Sequence, residues 1–508
     1  MIREISRRKC LRLWLCKPEY MERTKWENRF VLLRFWKKNY MMFLKDLKRF
    51  KMERLYDKLK AYSESDFYAF HMPGHKRNKA LLGIELPYDL DITEIDGFDD
   101  LHHADGILKE EQERAARVFG AEESHFLVNG STAGILSAVM GCTHRGDKIL
   151  VARHCHKSIY HAIYMNGLVP RYVYPEFDIS MHMNGEISKE DVAKALAAEP
   201  DIKAVVIVSP NYDGVVSDVK GIAEVAHSYR IPLIVDEAHG PHFGFHPVFP
   251  ERANDLGADV VINSLHKTLP SLTQTAILHI NGKFANRRRI KKYLDMLQSS
   301  SPSYIFMASL DACVDFLDGK CEEAFELYVE RLQKFREELE PLQHLQILRT
   351  EHYDISKVVI STANANITSP ELADRLRKEY HLEMEMTGGT YVLAMTTVAD
   401  TQEGLDRLKA ALLEIDGQLE AKTAVSGSIE ISGELPRLEQ YFTPQEAADR
   451  EEDGEAEEIP WKESEGHISL EYAYLYPPGS PVIVPGERIS REAVELLCYY
   501  ETQNLQIE

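Results

Sequence analysis

The chain has 508 residues, 44% of them hydrophobic, which is enough to bury a large core and to form about two to four domains. A formal net charge of -21 argues against general nucleic-acid binding, which needs clustered Lys and Arg, and no window holds the roughly eighteen unbroken apolar residues of a membrane span. The seven cysteines are scattered, odd in number and free of CxxC spacing, so the expectation is a soluble cytoplasmic protein with neither membrane nor nucleic acid as partner.

Residues 1–51 differ from the rest. They hold sixteen Lys or Arg against five Asp or Glu, and three of the four tryptophans, Trp14, Trp26 and Trp36. Charges interrupt every apolar run, which excludes a secretory signal peptide. A basic arm for an anionic surface, an organelle-targeting leader and translated upstream sequence all fit this composition. We favour the last, because globular patterning begins at "MERLYDKLKAY". Residues 1–51 are then a basic leader outside the fold, with a start at Met52, and 52–106 form an N-terminal arm or interface segment.

From Ile107 the pattern alternates. "ILKEEQERAARVFG" has helical spacing and a glycine stop at Gly120; "SHFLV" reads as a strand, "TAGILSAVMGC" as a helix, "DKILVA" as a strand and "HKSIYHAIYMNG" as a helix closed by Gly167. Further strands follow at "KAVVIVS", "IPLIVDE" and "ADVVINS", with the helix "GIAEVAHSYR" between the first two. This alternation predicts an α/β domain over 107–320, with a mostly parallel sheet covered on both faces. The helical "CEEAFELYVERLQKFREELEPL" leads into a smaller α+β domain over 321–424, with strands at "KVVIST" and "TYVLAMT". In the C-terminal segment 425–508, "TPQEAADREEDGEAEEIPWKESEG" reads as a solvated acidic loop, and "ISLEYAYLYPPGSPVIVPGERIS" as a rigid Pro/Gly loop and not a regular strand.

Ligands of open α/β sheets bind at the carboxyl ends of the strands, so the residues just after each apolar run matter most. After "SHFLV" comes "NGSTAG", whose backbone N–H groups and Ser131 and Thr132 hydroxyls suit a phosphate at a helix N-terminus. After "KILVA" comes "RHCHKS" with His154 and His156. No carboxylate or CxxC partner stands at ligand spacing there, so a metal is not expected. After "IPLIV" comes "DEAHG", where Asp236 is an acid at the end of a buried strand and needs a positive partner. After "ADVVIN" comes "SLHK". Lys267 there reads either as a lysine that snorkels to the surface from a loop between strands or, if desolvated, as a Schiff-base nucleophile.

This ordered set resembles the fold type I family of pyridoxal phosphate-dependent enzymes. The resemblance implies that Lys267 carries the cofactor, that Asp236 keeps its pyridine nitrogen protonated, and that His156 stacks on one ring face with Ala238 against the other. Ser131, Thr132, Ser264 and His266 would bind the phosphate. The motifs "FHMPGHK", "DDLHHADG", "HCHKS", "DEAHG", "SLHK" and "YPPGSPVIVPGE" further resemble the Orn/Lys/Arg decarboxylases in their short bacterial form. That implies decarboxylation of arginine, lysine or ornithine to an amine that feeds polyamine synthesis, in a homodimer or higher homo-oligomer with shared active sites. Lys267, His239 or His266 would return a proton to the α-carbon. Glu487 is the first candidate for the substrate's distal cation, with Asp99 or Asp100 across a subunit boundary as the second. The alternatives are an aminotransferase, which would use an arginine such as Arg375 or Arg377 for the α-carboxylate, another pyridoxal phosphate-dependent lyase of the same fold, and, in a different class, a non-catalytic regulatory homologue. Asn211, where the family commonly has threonine, leaves specificity open.

Overall fold

Val205–Val208, Leu233–Asp236 and Val260–Asn263 are branched apolar runs buried along their whole length, and such runs form the centre of a parallel sheet covered on both faces. The computed structural model describes residues 53–502 and 506–507, apart from 82, 180, 423–433, 455 and 477–478; the basic leader and the start at Met52 lie outside them. These three strands are the middle of a seven-stranded sheet in the spatial order Glu123–Leu127, Ala276–Ile280, Val260–Asn263, Leu233–Asp236, Val205–Val208, Lys148–Ala152, Val169–Val173. Ala276–Ile280 alone runs against its neighbours, pairing antiparallel on both sides, while the remaining pairs are parallel. Six strands therefore deliver their carboxyl ends to one edge of the sheet.

A four-stranded antiparallel sheet, in the order Gln346–Leu348, Lys357–Ser361, Tyr391–Met395, Met386–Thr387, forms the second layer system. Its helix Ser369–Tyr380 starts on a capping box, Thr368 with Glu371, and ends where His381 turns left-handed. Core residues of the helices Tyr304–Leu317 and Glu322–Glu338 share one apolar cluster with Val358, Ile360 and Val392 of this sheet.

Two expectations for the C-terminal segment are corrected. The acidic stretch is not a loop throughout: Pro444–Glu452 is a helix, started by the Thr443 and Glu446 capping box and anchored by buried Ala447. Its charges lie on the solvent side, so a composition rich in acid concealed an ordinary amphipathic helix. The Pro/Gly-rich stretch contains regular strands, with Ala473–Tyr476 between Ser480–Ile483 and Gln506–Ile507. Pro481 is tolerated because Ser480–Ile483 is an edge strand, where a missing N–H breaks no central ladder.

Candidate active site

At the carboxyl edge of the large sheet lies a cavity of about 320 Å3, lined by Ser131, Thr132, His156, Asp236, Ala238, His239, Ser264, His266 and Lys267, and closed by residues of the second sheet and the C-terminal segment. All nine were singled out in the sequence, and the fold brings all nine to one place.

Lys267 stands on a single helical turn, Leu265–Thr268, immediately after strand Val260–Asn263, and not in an irregular loop between strands. Its Nζ lies 2.8 Å from Nε2 of His239 and 5.9 Å from the centre of the Tyr212 ring. Burial lowers its pKa; Asp236 and Glu385 oppose the shift, and the nearby Lys357 cation adds to it. His239 is held well below the usual histidine range, first by burial and then by Lys267 and Lys357. A neutral imidazole accepting from a lysine amine places a proton donor and a proton acceptor in direct contact at the cavity.

Asp236 ends strand Leu233–Asp236, is 3% exposed, and accepts the Ala238 N–H at 3.2 Å. Burial raises its pKa, while the Lys267 charge pulls the other way. Such an acid is stabilised by a cationic N–H, which a protonated pyridine supplies. His156 caps the helix Lys157–Met165, with Nδ1 accepting the Ser158 N–H at 3.2 Å and its hydroxyl at 2.9 Å. That fixes the proton on Nε2, and burial pushes the ring's pKa down to about 4, so His156 is a neutral ring fit for stacking.

The anion end is equally built. Helix Gly130–Cys142 opens with Gly130 in the left-handed region, at φ 71°, its N–H given to the Gln274 carbonyl at 3.0 Å. The turn leaves the first-turn N–H groups and the hydroxyls of Ser131 and Thr132 at the cavity, with Ser131 bonded to Ser264. His266 donates Nδ1–H to the Thr275 carbonyl at 2.9 Å, which leaves Nε2 for a ligand. A buried acid, a desolvated amine beside a neutral imidazole and an anion cradle, spread around one cavity, match the nitrogen, aldehyde and phosphate of pyridoxal phosphate. The residues fit the cofactor.

Glu487 is not brought to this cavity, and Asp99 and Asp100, expected to act across a subunit boundary, do not line the cavity of their own copy. Glu487 is fully buried and bound at 3.1 Å to Arg153, which also holds the Pro481 and Val482 carbonyls at 2.8 and 3.0 Å. It pins the C-terminal segment to the end of strand Lys148–Ala152. Asp99 accepts the N–H groups of Asp105, Gly106 and Leu108 at 3.0, 2.9 and 2.9 Å, and Asp100 accepts that of His102 at 2.9 Å. These bonds start the helix Ile107–Val118 and leave Asp99 little capacity for a ligand. Arg375 pairs with Glu379 and Arg377 with Asp374, both away from the cavity.

The structure adds residues that sequence reasoning passed over. Asp213, 7% exposed, lines the cavity and accepts the Tyr391 hydroxyl at 2.5 Å. Burial pushes its pKa up to about 6. Its position in "NYDG" was the available signal: an acid in a tight turn following a buried strand. Among the described residues no group of three or more His, Cys, Asp or Glu is placed to hold a metal, and no helix is long and apolar enough to cross a membrane.

Known proteins share these features. The model of the Orn/Lys/Arg decarboxylase major domain matches residues 53–422, and that of the family's C-terminal domain matches 433–506. Arginine decarboxylase of Bacillus subtilis (strain 168) is 34% identical over 459 residues, covering 87% of this chain and 92% of its own length. Among solved structures, the lysine decarboxylase of Francisella novicida superposes with a TM-score of 0.77 at 20% identity, over 90% of this chain and 79% of that one. Alanine–glyoxylate aminotransferase from Nostoc sp. superposes with 0.50 at 15%, over 61% and 86%, which shows the large domain's fold type I architecture. The chain belongs to the Orn/Lys/Arg decarboxylase family.

Proposed function

We propose that the protein removes the α-carboxylate of a basic amino acid, arginine first among arginine, lysine and ornithine, to give the amine that enters polyamine synthesis in the cytoplasm. The observation that carries this is the Lys267–His239 contact at 2.8 Å beside buried Asp236. Arginine is favoured because relatives at 32–34% identity over most of the chain are arginine decarboxylases.

When bound, the cofactor supplies an electron-withdrawing ring. Lys267 would hold it, Asp236 would keep its nitrogen protonated, His156 and Ala238 would pack against its ring, and Ser131, Thr132, Ser264 and His266 would hold its phosphate. Lys267 Nζ and His239 Nε2 share the proton that returns to the α-carbon. Among the described residues lining the cavity there is no arginine, so the α-carboxylate has no guanidinium there to stabilise it. That favours its departure over transamination.

Asp213 is the acid we assign to the substrate's distal cation, since among the described residues lining the cavity it and Asp236 are the carboxylates. A guanidinium there offsets the desolvation that raises its pKa to about 6. Asp213→Asn is expected to raise KM for the basic substrate about 10-fold to 100-fold with kcat nearly kept, since a charge-assisted contact contributes about 1.5–3 kcal/mol. In the unaltered enzyme KM should climb as pH falls below about 6, because protonation removes the negative charge; the Asn variant should lose that limb. Glu487→Ala, in contrast, should cost about 3–5 kcal/mol in urea unfolding, because it strands buried Arg153. KM of the folded Glu487→Ala fraction should be unchanged.

Phe67, Tyr68, Phe70, Met72 and Leu81 expose 66–89% of their surface along one N-terminal arm. Apolar exposure of this density supports burial against a second copy in a homodimer. Equal concentrations of arginine, lysine and ornithine, supplied separately and read by the amine formed, test the proposal: arginine should give the highest kcat/KM. Equal rates on neutral amino acids would overturn it.

A further inference from the structure

Lys357 begins a strand of the second sheet, and Lys357 and Asp354 are both fully buried, 3.1 Å apart. A buried ion pair is a poor stability device, because the cost of desolvating two charges offsets most of their attraction. Its hydrogen bonds show where it acts. Lys357 Nζ donates to the backbone carbonyl of His239 at 3.3 Å, as well as to Asp354 at 3.1 Å and Ser356 at 3.4 Å. On the other side, Asp354 accepts from His242 Nε2 at 3.1 Å, and His242 Nδ1 meets the Thr268 hydroxyl at 3.0 Å. Thr268 is the residue after Lys267. The pair therefore ends on both members of the Lys267–His239 contact, on His239 through its own carbonyl and on Lys267 through the neighbouring side chain.

The surroundings leave the pair no freedom. Asp354 also accepts the Ser356 N–H at 3.0 Å and its hydroxyl at 2.8 Å, which fills its acceptor sites. Its backbone N–H is held by the Gly214 carbonyl at 2.9 Å. A Cβ at Gly214 would come within 2.8 Å of the Lys357 side chain, so only glycine admits the lysine here. Burial alone would raise Asp354, yet His242 and Lys357 pull it well below the usual carboxylate range, so it stays charged.

We propose that Lys357 and Asp354 are positioning residues which, from the second sheet, clamp the His239 backbone and the Lys267 turn so that His239 Nε2 faces Lys267 Nζ. The inference rests on Lys267 being the reactive lysine. The Lys357 cation also disfavours a second positive charge on either partner. Besides Lys357, the groups whose fields reach Lys267 are Asp236, Glu385, His239, His156 and His266.

The test uses full-length protein with Lys357→Met and with the double change Lys357→Met, Asp354→Asn, which avoids stranding a buried charge. In the cofactor-free state, the rate of Lys267 acetylation against pH, read by mass spectrometry, gives the lysine's titration without any catalysis. That readout holds whichever substrate the enzyme takes, so it fails separately from the proposed function. The folded Lys357→Met variant should show an acetylation midpoint shifted upward from that of the unaltered protein, because the Lys357 cation is one of the influences that lower Lys267. With cofactor and substrate, kcat should fall roughly 10-fold to 100-fold while KM changes less than about 2-fold, as for a misplaced catalytic group. An unchanged midpoint and unchanged kcat in a folded variant would overturn the proposal. So would loss of cooperative unfolding in both variants, which would make the pair a stability element.

Discussion

Lys267→Ala should lower kcat/KM by at least about 10^4-fold and remove the visible absorbance of the cofactor-loaded protein, because among the described residues lining the cavity Lys267 carries the one amine beside Asp236 and the anion cradle. Misfolding is the trivial explanation, and linkage separates it. Burial lowers the folded pKa of Lys267 from 10.5, so the unfolded chain binds more protons than the native one at pH values between the lowered pKa and 10.5. Stability rises with pH through that window, and below it the lysine costs stability. The cofactor-free Lys267→Ala protein should thus unfold at equal or higher urea than the unaltered protein near neutral pH, and should lose the pH dependence in that window. Lost activity with a gain in stability is a signature that a merely structural lysine would not give.

Asp236→Asn should leave cofactor capture nearly intact and lower kcat by about 10^3-fold. Asn keeps the shape and can still accept the Ala238 N–H that Asp236 accepts at 3.2 Å. What it lacks is the charge that holds a proton on the ring nitrogen, and with it the ring's power to withdraw electrons. The check is kcat measured at full cofactor stoichiometry, read by absorbance. The raised pKa of Asp236 has a stability sign of its own: in the cofactor-free protein stability is lost as pH rises from the unfolded value of 3.8 through the raised folded value, so the Asn variant should be at least as stable at neutral pH.

Much of this site was legible because strand ends are predictable. Each buried run announced its own carboxyl end, which marked Asn129–Gly134, Asp236 and Lys267 as candidates, and the resemblance to fold type I enzymes supplied the roles expected of them. The short helix under Lys267 was not legible, since four residues are too few for a periodic signal. Glu487 was misplaced for a definite reason: sequence shows an acid in a loop but cannot show that Arg153, more than 300 positions earlier, already neutralises it. Asp213 and the Asp354–Lys357 pair were missed because polar residues beside strands ordinarily read as turn or surface. Their burial depends on the second sheet closing over the first, a contact between elements far apart in the chain. The helix Pro444–Glu452 was hidden by its charge, although its capping box stood in the sequence as Thr443 and Glu446.

Decarboxylation releases carbon dioxide and leaves an amine. Protein loaded with pyridoxal phosphate, given arginine labelled with carbon-13 at its carboxyl carbon, should release one labelled carbon dioxide for each amine formed, and Lys267→Ala should release none. Formation of a keto acid, with the label retained in it and the cofactor left as its pyridoxamine form, would contradict the account.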